Sequence, residues 1–275
     1  MNITVCKFGG SSAAGPSEIQ QILKNIKADS SRRYIILSAP GANAEYPEKM
    51  TDRLSWLWKA RHSETEAGAT IAEIAARYGS LCARLGIPDL SPIAKAELRH
   101  AIEISEAHTL SRGEYLMAML FSSFSGIPMC DSSGLIWFNA DGKFNYTRTC
   151  MALREMSRRH FRAIIPGFYG SGPDGEIRTF PRNGSDITGA MAAVGLGASV
   201  YENWTDVPGL MTGDPANDET ARVIPHISFD EMLNMARSGA RVLHPDCLEP
   251  LKDAGIPIHL MCTMRPELPG TWIGR

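Results

Sequence analysis

The sequence predicts an α/β fold built on a mainly parallel sheet, and three segments near its start predict it. Ile3–Phe8 is a short apolar run closed by Gly9-Gly10, the pattern of a buried strand that ends in a tight turn. Pro16 and Ser17 then open a stretch with Ile19, Ile22, Leu23 and Ile26 at spacings of three and four, a helix with one apolar face. Tyr34–Ala39 is a second apolar run, stopped by Pro40-Gly41. Strand, helix and strand in that order make the β-α-β unit of a parallel sheet.

The remaining elements follow in chain order. Residues 51–125 read as mostly helical: Leu54, Leu57, Trp58 and Arg61 begin the stretch and Ala72–Leu85 continues it. Gly86, Pro88 and Pro92 interrupt, and Ile102, Leu110 and Tyr115–Phe124 complete it. Ile127–Cys130, Ala163–Ile165 and Glu176–Thr179 are strand-like. The last third alternates, with a helix over Asp186–Leu196, a strand over Ser199–Trp204 and a long loop rich in Gly, Pro and Asp. Helices over Phe229–Ser238 and Asp246–Asp253 and a strand over Pro257–Met261 close the pattern. No repeat, low-complexity tract or linker divides the chain, so residues 1–275 read as one domain.

Composition narrows the function classes. With 275 residues, 44% hydrophobic and 21% charged, the chain can bury a large core without disulfides. Six cysteines show no C-x-x-C spacing and several lie in apolar runs, so they read as thiols of a reduced compartment and not as metal ligands. A net charge of −2 with no dense Lys/Arg run gives no nucleic-acid surface. Met1 leads straight into a strand-like segment, and no apolar stretch approaches the length of a membrane span. The expectation is a soluble, cytoplasmic protein with no membrane partner.

In an open parallel sheet, ligands sit beyond the C-terminal ends of the strands. That singles out Gly9–Ser12, Ala39–Asn43, Gly167–Gly172, Arg182–Asp186 and Thr205–Pro215. In Lys7-Phe8-Gly9-Gly10-Ser11-Ser12, paired glycines let a backbone approach phosphate oxygens and the lysine adds positive charge. The same residues equally suit a plain strand-to-helix turn. Neither a P-loop nor a G-x-G-x-x-G fingerprint is present. Ser185 or Asp186 can cap the helix that follows, whereas Arg182 offers a planar fork for a carboxylate. Asp206 lies in Asp-x-Pro-Gly, which is also good turn chemistry. There is no H-E-x-x-H or G-x-S-x-G motif, and the seven histidines are scattered.

Taken in order, the chain reads KFGGSS, SAPG, MTDRL, SRGE, PGFYG, PRNGSDITGA, WTDVPGLMTGDP, SFDEM, GARVLHPDCLEP and PELPGTWIG. This series resembles the catalytic domain of the aspartokinase family almost end to end. The resemblance implies a three-layer αβα sandwich of the amino-acid kinase (carbamate kinase-like) type. Residues from about 1 to 180 would mainly bind substrate and those from about 181 to 275 mainly nucleotide. It further implies transfer of the ATP γ-phosphate to the β-carboxylate of L-aspartate, with Mg²⁺ arriving on ATP. Lys7 would lie against the transferring group, and Asp186 would position it. Gly9, Gly10 and Ser11 would face the phosphates. Glu114 would take the substrate ammonium and Arg182 its α-carboxylate, with Ser185 and Thr51 in the same pocket. Thr205, Asp206, Met211, Asp214 and Arg241 match the nucleotide side.

The chain departs from the family pattern at four places: Asn183 stands for a glycine, Met211 for a nearby tyrosine, Ala216 for an arginine and Arg241 for a lysine. No segment matching the regulatory ACT domains is expected after the last strand, which leaves a homodimer open. The same residues accommodate an aspartate analogue or another amino acid as acceptor. They also accommodate a silent homologue that binds without turnover.

Overall fold

In the computed structural model, which describes residues 2–181, 183–213, 220–238 and 243–275, the chain begins with β1 (Thr4–Phe8), a strand buried at every position. Gly9-Gly10 ends it, and α1 (Pro16–Ala28) starts with proline in its first turn, where the missing N–H costs nothing. β2 (Arg32–Leu37) returns parallel to β1. The helical stretch resolves into α2 (Met50–Ala60), α3 (Glu64–Leu85), α4 (Ser91–Ile104) and α5 (Glu106–Ser125). Pro92, read as an interruption, sits instead in the opening turn of α4, because a helix tolerates proline there.

A helix that the sequence reading passed over, α6 (Tyr146–Arg159), precedes β3 (Ala163–Pro166). β4 (Tyr169–Ser171) and β5 (Ile177–Thr179) form a separate antiparallel pair, so the strand expected near 176–179 does not join the main sheet. The strand expected over Ile127–Cys130 reduces to one parallel bridge between Met129 and Ile164. Then come α7 (Gly184–Leu196), β6 (Val200–Thr205), the short β7 (His226–Ile227), α8 (Phe229–Arg237), α9 (Pro245–Asp253), β8 (Ile258–Cys262) and β9 (Thr271–Ile273).

The main sheet has seven strands in the order β3-β2-β1-β6-β8-β9-β7, and every pairing is parallel except β8 with β9. Alternation along each strand divides the interior in two. Cys6, Phe8, Ile35, Leu37 and Trp204 pack against α1 to α5. Val5, Tyr34, Ile36, Tyr201 and Ile258 pack against α6 to α9. This is a three-layer αβα sandwich. Its order reverses at β1, between β2 and β6, which places a crevice at the C-terminal ends of those strands.

Candidate active site

Lys7 leaves β1 toward α7, and its Nζ meets Asp186 Oδ1 at 2.7 Å. Lys7 is 9% exposed, so the pair is shielded from bulk water. Asp186 lies in the first turn of α7, where the helix N-terminus favours a carboxylate. Gly9 follows directly; its N–H donates to the Trp204 carbonyl at 3.2 Å, and a Cβ there would lie 3.4 Å from Lys7 Nζ. Ser11 is exposed beside it, while Ser12 turns inward to Thr263 Oγ1 at 2.7 Å. Thr205 sits at the end of β6, its hydroxyl on Asp206 Oδ1 at 3.0 Å, and its carbonyl accepts from Thr263 N–H at 2.8 Å. The ends of β1, β6 and β8 thus converge on Gly9, Thr205 and Thr263.

The turn after β2 completes one wall. Gly41 N–H donates to the Gly10 carbonyl at 2.8 Å, and a Cβ on Gly41 would stand 2.6 Å from the Gly10 carbonyl carbon, so only glycine permits this approach. The same turn presents Ala39 to α5. There Gly113 lets the helix come so close that a Cβ on it would lie 2.8 Å from Ala39 Cβ. Next to Gly113, Glu114 is 3% exposed, and its Oε2 has no hydrogen-bond partner among the described residues. Burial pushes its carboxyl from near 4.5 up to about 8, against backbone hydrogen bonding from Ala39 that favours the ionised form. Thr51 lies in the first turn of α2, which the Pro40 carbonyl anchors through Met50 N–H at 3.2 Å.

The third wall joins the turn after β3 to the start of α7. Ser185 is buried, and a Cβ at Gly167 would lie 2.5 Å from its Oγ. Asn183 adopts a left-handed backbone (φ 50°, ψ 30°) and makes no side-chain cap. Its place in the pattern is therefore conformational: asparagine is among the residues that enter this region most readily after glycine. Phe168 is also at positive φ (77°), uncommon for a bulky residue. Its N–H donates to Thr188 Oγ1 at 3.1 Å, and Thr188 in turn donates to the Gly184 carbonyl at 2.8 Å. Sequence reading missed Phe168, Thr188, Thr263 and Asn203. Only Phe168 and Thr188 carried a signal, by falling inside the PGFYG and PRNGSDITGA strings.

Of the residues singled out from sequence, Lys7, Gly9 and Asp186 come together directly, and Thr205 follows Trp204, whose carbonyl Gly9 N–H meets. Gly10, Thr51 and Glu114 share the Ala39–Gly41 turn. Asp206 is exposed at the rim, and Met211 bridges Val223 on a segment tied to β9 by Leu210 N–H on Thr271 Oγ1. Arg182, Asp214, Ala216 and Arg241 lie outside the described residues.

The amino acid kinase family model matches residues 2–262. The chain belongs to the amino acid kinase family. Within that family it is 29% identical to aspartokinase 3 of Bacillus subtilis over 97% of its length and 62% of that protein's. Against the aspartokinase of Chlamydia pneumoniae the identity is 30%, over 99% of this chain and 63% of the relative. Among solved structures, aspartate kinase from Clostridium acetobutylicum superposes with a TM-score of 0.90 at 34% identity, covering 99% of this chain and 62% of that one. E. coli aspartokinase III in complex with aspartate and ADP superposes at 0.78 and 28%, covering 99% and 64%. This amino acid kinase chain thus spans a little over three-fifths of the length of each of these four relatives. Uridylate kinase from Archaeoglobus fulgidus, at 17% identity and a TM-score of 0.51, shares the fold alone. Among the described residues no helix is long and apolar enough to cross a membrane.

Proposed function

We propose that this chain is an aspartate kinase, transferring the γ-phosphate of ATP to the β-carboxylate of L-aspartate to give 4-phospho-L-aspartate and ADP. The observation that carries the reading is Glu114, a buried carboxyl of α5 whose Oε2 has no described partner, next to Gly113, which packs against the Ala39–Gly41 turn that meets the Gly9-Gly10 loop. A buried acid without a counter-charge is costly unless a ligand supplies one. The ammonium of an amino acid does so.

The other roles follow from chemistry. Lys7 keeps donors beyond its bond to Asp186 and would offset charge on the equatorial oxygens of the transferring group. Gly9, Gly10 and Ser11 offer backbone and hydroxyl donors to phosphates. Arg182 would fork onto the α-carboxylate, with Ser185 and Thr51 beside it. Thr205, Asp206, Met211, Asp214 and Arg241 would line the nucleotide side. The acceptor carboxylate is ionised at neutral pH, so no general base is required, and catalysis reduces to positioning and charge stabilisation. Magnesium would arrive with ATP, held mainly by phosphate oxygens and by few protein groups. Magnesium bound with ATP would supply charge neutralisation at the β- and γ-phosphates. Residues 1–275 form one catalytic unit in this reading, with the substrate side mainly before about residue 180 and the nucleotide side mainly after.

The test is hydroxylamine trapping of acyl phosphate from L-aspartate and Mg-ATP, on wild type and Lys7→Ala. Product from wild type alone is expected. ADP release with a different amino acid and none with aspartate would move the acceptor. Nucleotide binding without any turnover would make the chain a silent homologue.

A further inference from the structure

Asp186 is held by more than Lys7. Asn203 Nδ2 donates to Asp186 Oδ1 at 2.6 Å, the same oxygen that Lys7 Nζ meets at 2.7 Å. Lys7 and Asn203 are register partners across β1 and β6, so their side chains leave one face of the sheet about 5 Å apart. Asn203 is 5% exposed. Two residues earlier on the same face, Tyr201 donates its hydroxyl to the Asp186 carbonyl at 3.3 Å, and a Cβ on Gly189 would lie 2.7 Å from the tyrosine ring. One strand therefore grips both the main chain and the side chain of Asp186.

We propose that Asn203 is a positioning residue for phosphoryl transfer: it locks Asp186 Oδ1 and thereby fixes where Lys7 Nζ stands. This rests on the kinase reading above. A carboxylate with one partner can rotate and offer either oxygen, and the ammonium follows it. A carboxamide donor removes that freedom. It is also neutral. A second ammonium at position 203 would compete for the charge of Asp186, and a carboxylate there would draw Lys7 toward itself. A neutral donor holds the oxygen and leaves the remaining donors of Lys7 for the reacting group.

Two variants of the full chain test this, each read against wild type with Mg-ATP. Asn203→Leu keeps the volume and removes the donor. It is expected to lower kcat by about 10- to 100-fold and to leave KM for acceptor and Mg-ATP within about threefold, the signature of an interaction that matters in the transition state. Asn203→Asp replaces the donor by an acceptor. Two carboxylates in contact repel, which raises the pKa of one of them, so as pH falls the pair takes up one proton and a donor to the shared contact is restored. The ratio of its kcat to that of wild type is expected to recover by about tenfold or more from pH 9 to pH 6.

The groups facing this contact are Lys7 from β1, Asp186 from α7, Tyr201 from β6 and Cys247 from α9. Burial pushes Tyr201 and Cys247 up, so both stay neutral through that window. A role confined to stability would lower activity in both variants with no such recovery, and that result overturns the proposal. So does wild-type kcat in Asn203→Leu. An active wild type with indifferent variants sinks the positioning role alone, whereas a wild type inert toward every amino acid tried sinks the kinase reading and this inference with it.

Discussion

Glu114→Gln separates what burial does to the empty site from what a ligand does to it. In the unliganded protein the Glu114 carboxyl titrates at about 8, because it is buried and Oε2 has no described partner. In the unfolded chain it titrates near 4.5. The folded protein therefore holds a proton that the unfolded chain gives up. The stability tied to that proton is fully present below pH 4.5 and is lost as pH rises to about 8. At about 1.4 kcal/mol for each tenfold change in acidity, the whole displacement corresponds to roughly 5 kcal/mol, and relaxation around the site brings the expected loss to about 2–5 kcal/mol.

Glutamine stays neutral throughout. Urea unfolding without ligand, at steps from pH 5 to pH 9, should show wild type losing about 2–5 kcal/mol relative to Glu114→Gln across the series. The slope carries the information, since the buried amide adds a constant offset. Ligand binding should mirror this. At pH 7 aspartate must expel the Glu114 proton, so calorimetry in buffers of different ionisation heat should find close to one proton released in wild type and none in the variant. KM for aspartate should rise by about 10²- to 10³-fold in Glu114→Gln. Parallel stability curves would refute the reasoning, for they would mean that Glu114 is already ionised in the empty site.

Two further outcomes follow from the scaffold. Asn183→Gly should change stability by less than about 1 kcal/mol and keep kcat, because relief at positive φ offsets the added freedom of the unfolded chain; Asn183→Val should cost about 1–2 kcal/mol, read as a shift in the urea midpoint. Glu202 sits on the α1 side of β6, where Arg32 reaches it with two bonds at 2.8 and 3.1 Å. Glu202→Leu should therefore cost about 3–5 kcal/mol by stranding Arg32, and Arg32→Met in the same chain should recover most of it, with kcat per folded molecule unchanged in both.

The fold was legible wherever one element carried its own periodicity. β1, α1 and β2 could be read directly, because each is bounded by glycine or proline and shows a single apolar pattern. α6 was not, since its sequence YTRTCMALREMSRR is strongly polar and only Thr149, Cys150, Leu153 and Met156 are buried. The strand at residues 176–179 was legible, but its place in the fold was not. Three half-buried residues fix a strand but not its partner, and Tyr169–Ser171 captures them locally. Ordered motifs singled out Lys7, Glu114 and Asp186, and the structure brings Lys7 and Asp186 into contact. Asn203 was not singled out, because a lone asparagine inside a strand gives no sign of what stands opposite until α7 is placed over β6.

β6 also separates a fully satisfied polar cluster from a partly satisfied one. Its residues alternate between two buried environments. On the α1 side, Glu202 accepts two bonds from Arg32, one from Trp204 Nε1 at 2.9 Å and one from the Cys6 thiol at 3.3 Å. Every charge there is answered within the chain, and such a network rigidifies without inviting a ligand. On the α7 side the satisfaction is partial. Asp186 is answered by Lys7 and Asn203, but Lys7 has a single described carboxylate partner for three donors, and in α5, beyond the Ala39–Gly41 turn, Glu114 has an oxygen with none. An incomplete buried network costs stability and persists where something outside the chain completes it. The two deficits have opposite sign, an unfilled set of cationic donors and an unanswered carboxyl. They call for one molecule that is anionic where it meets Lys7 and another that is cationic where it meets Glu114, as a nucleotide phosphate and an amino acid are.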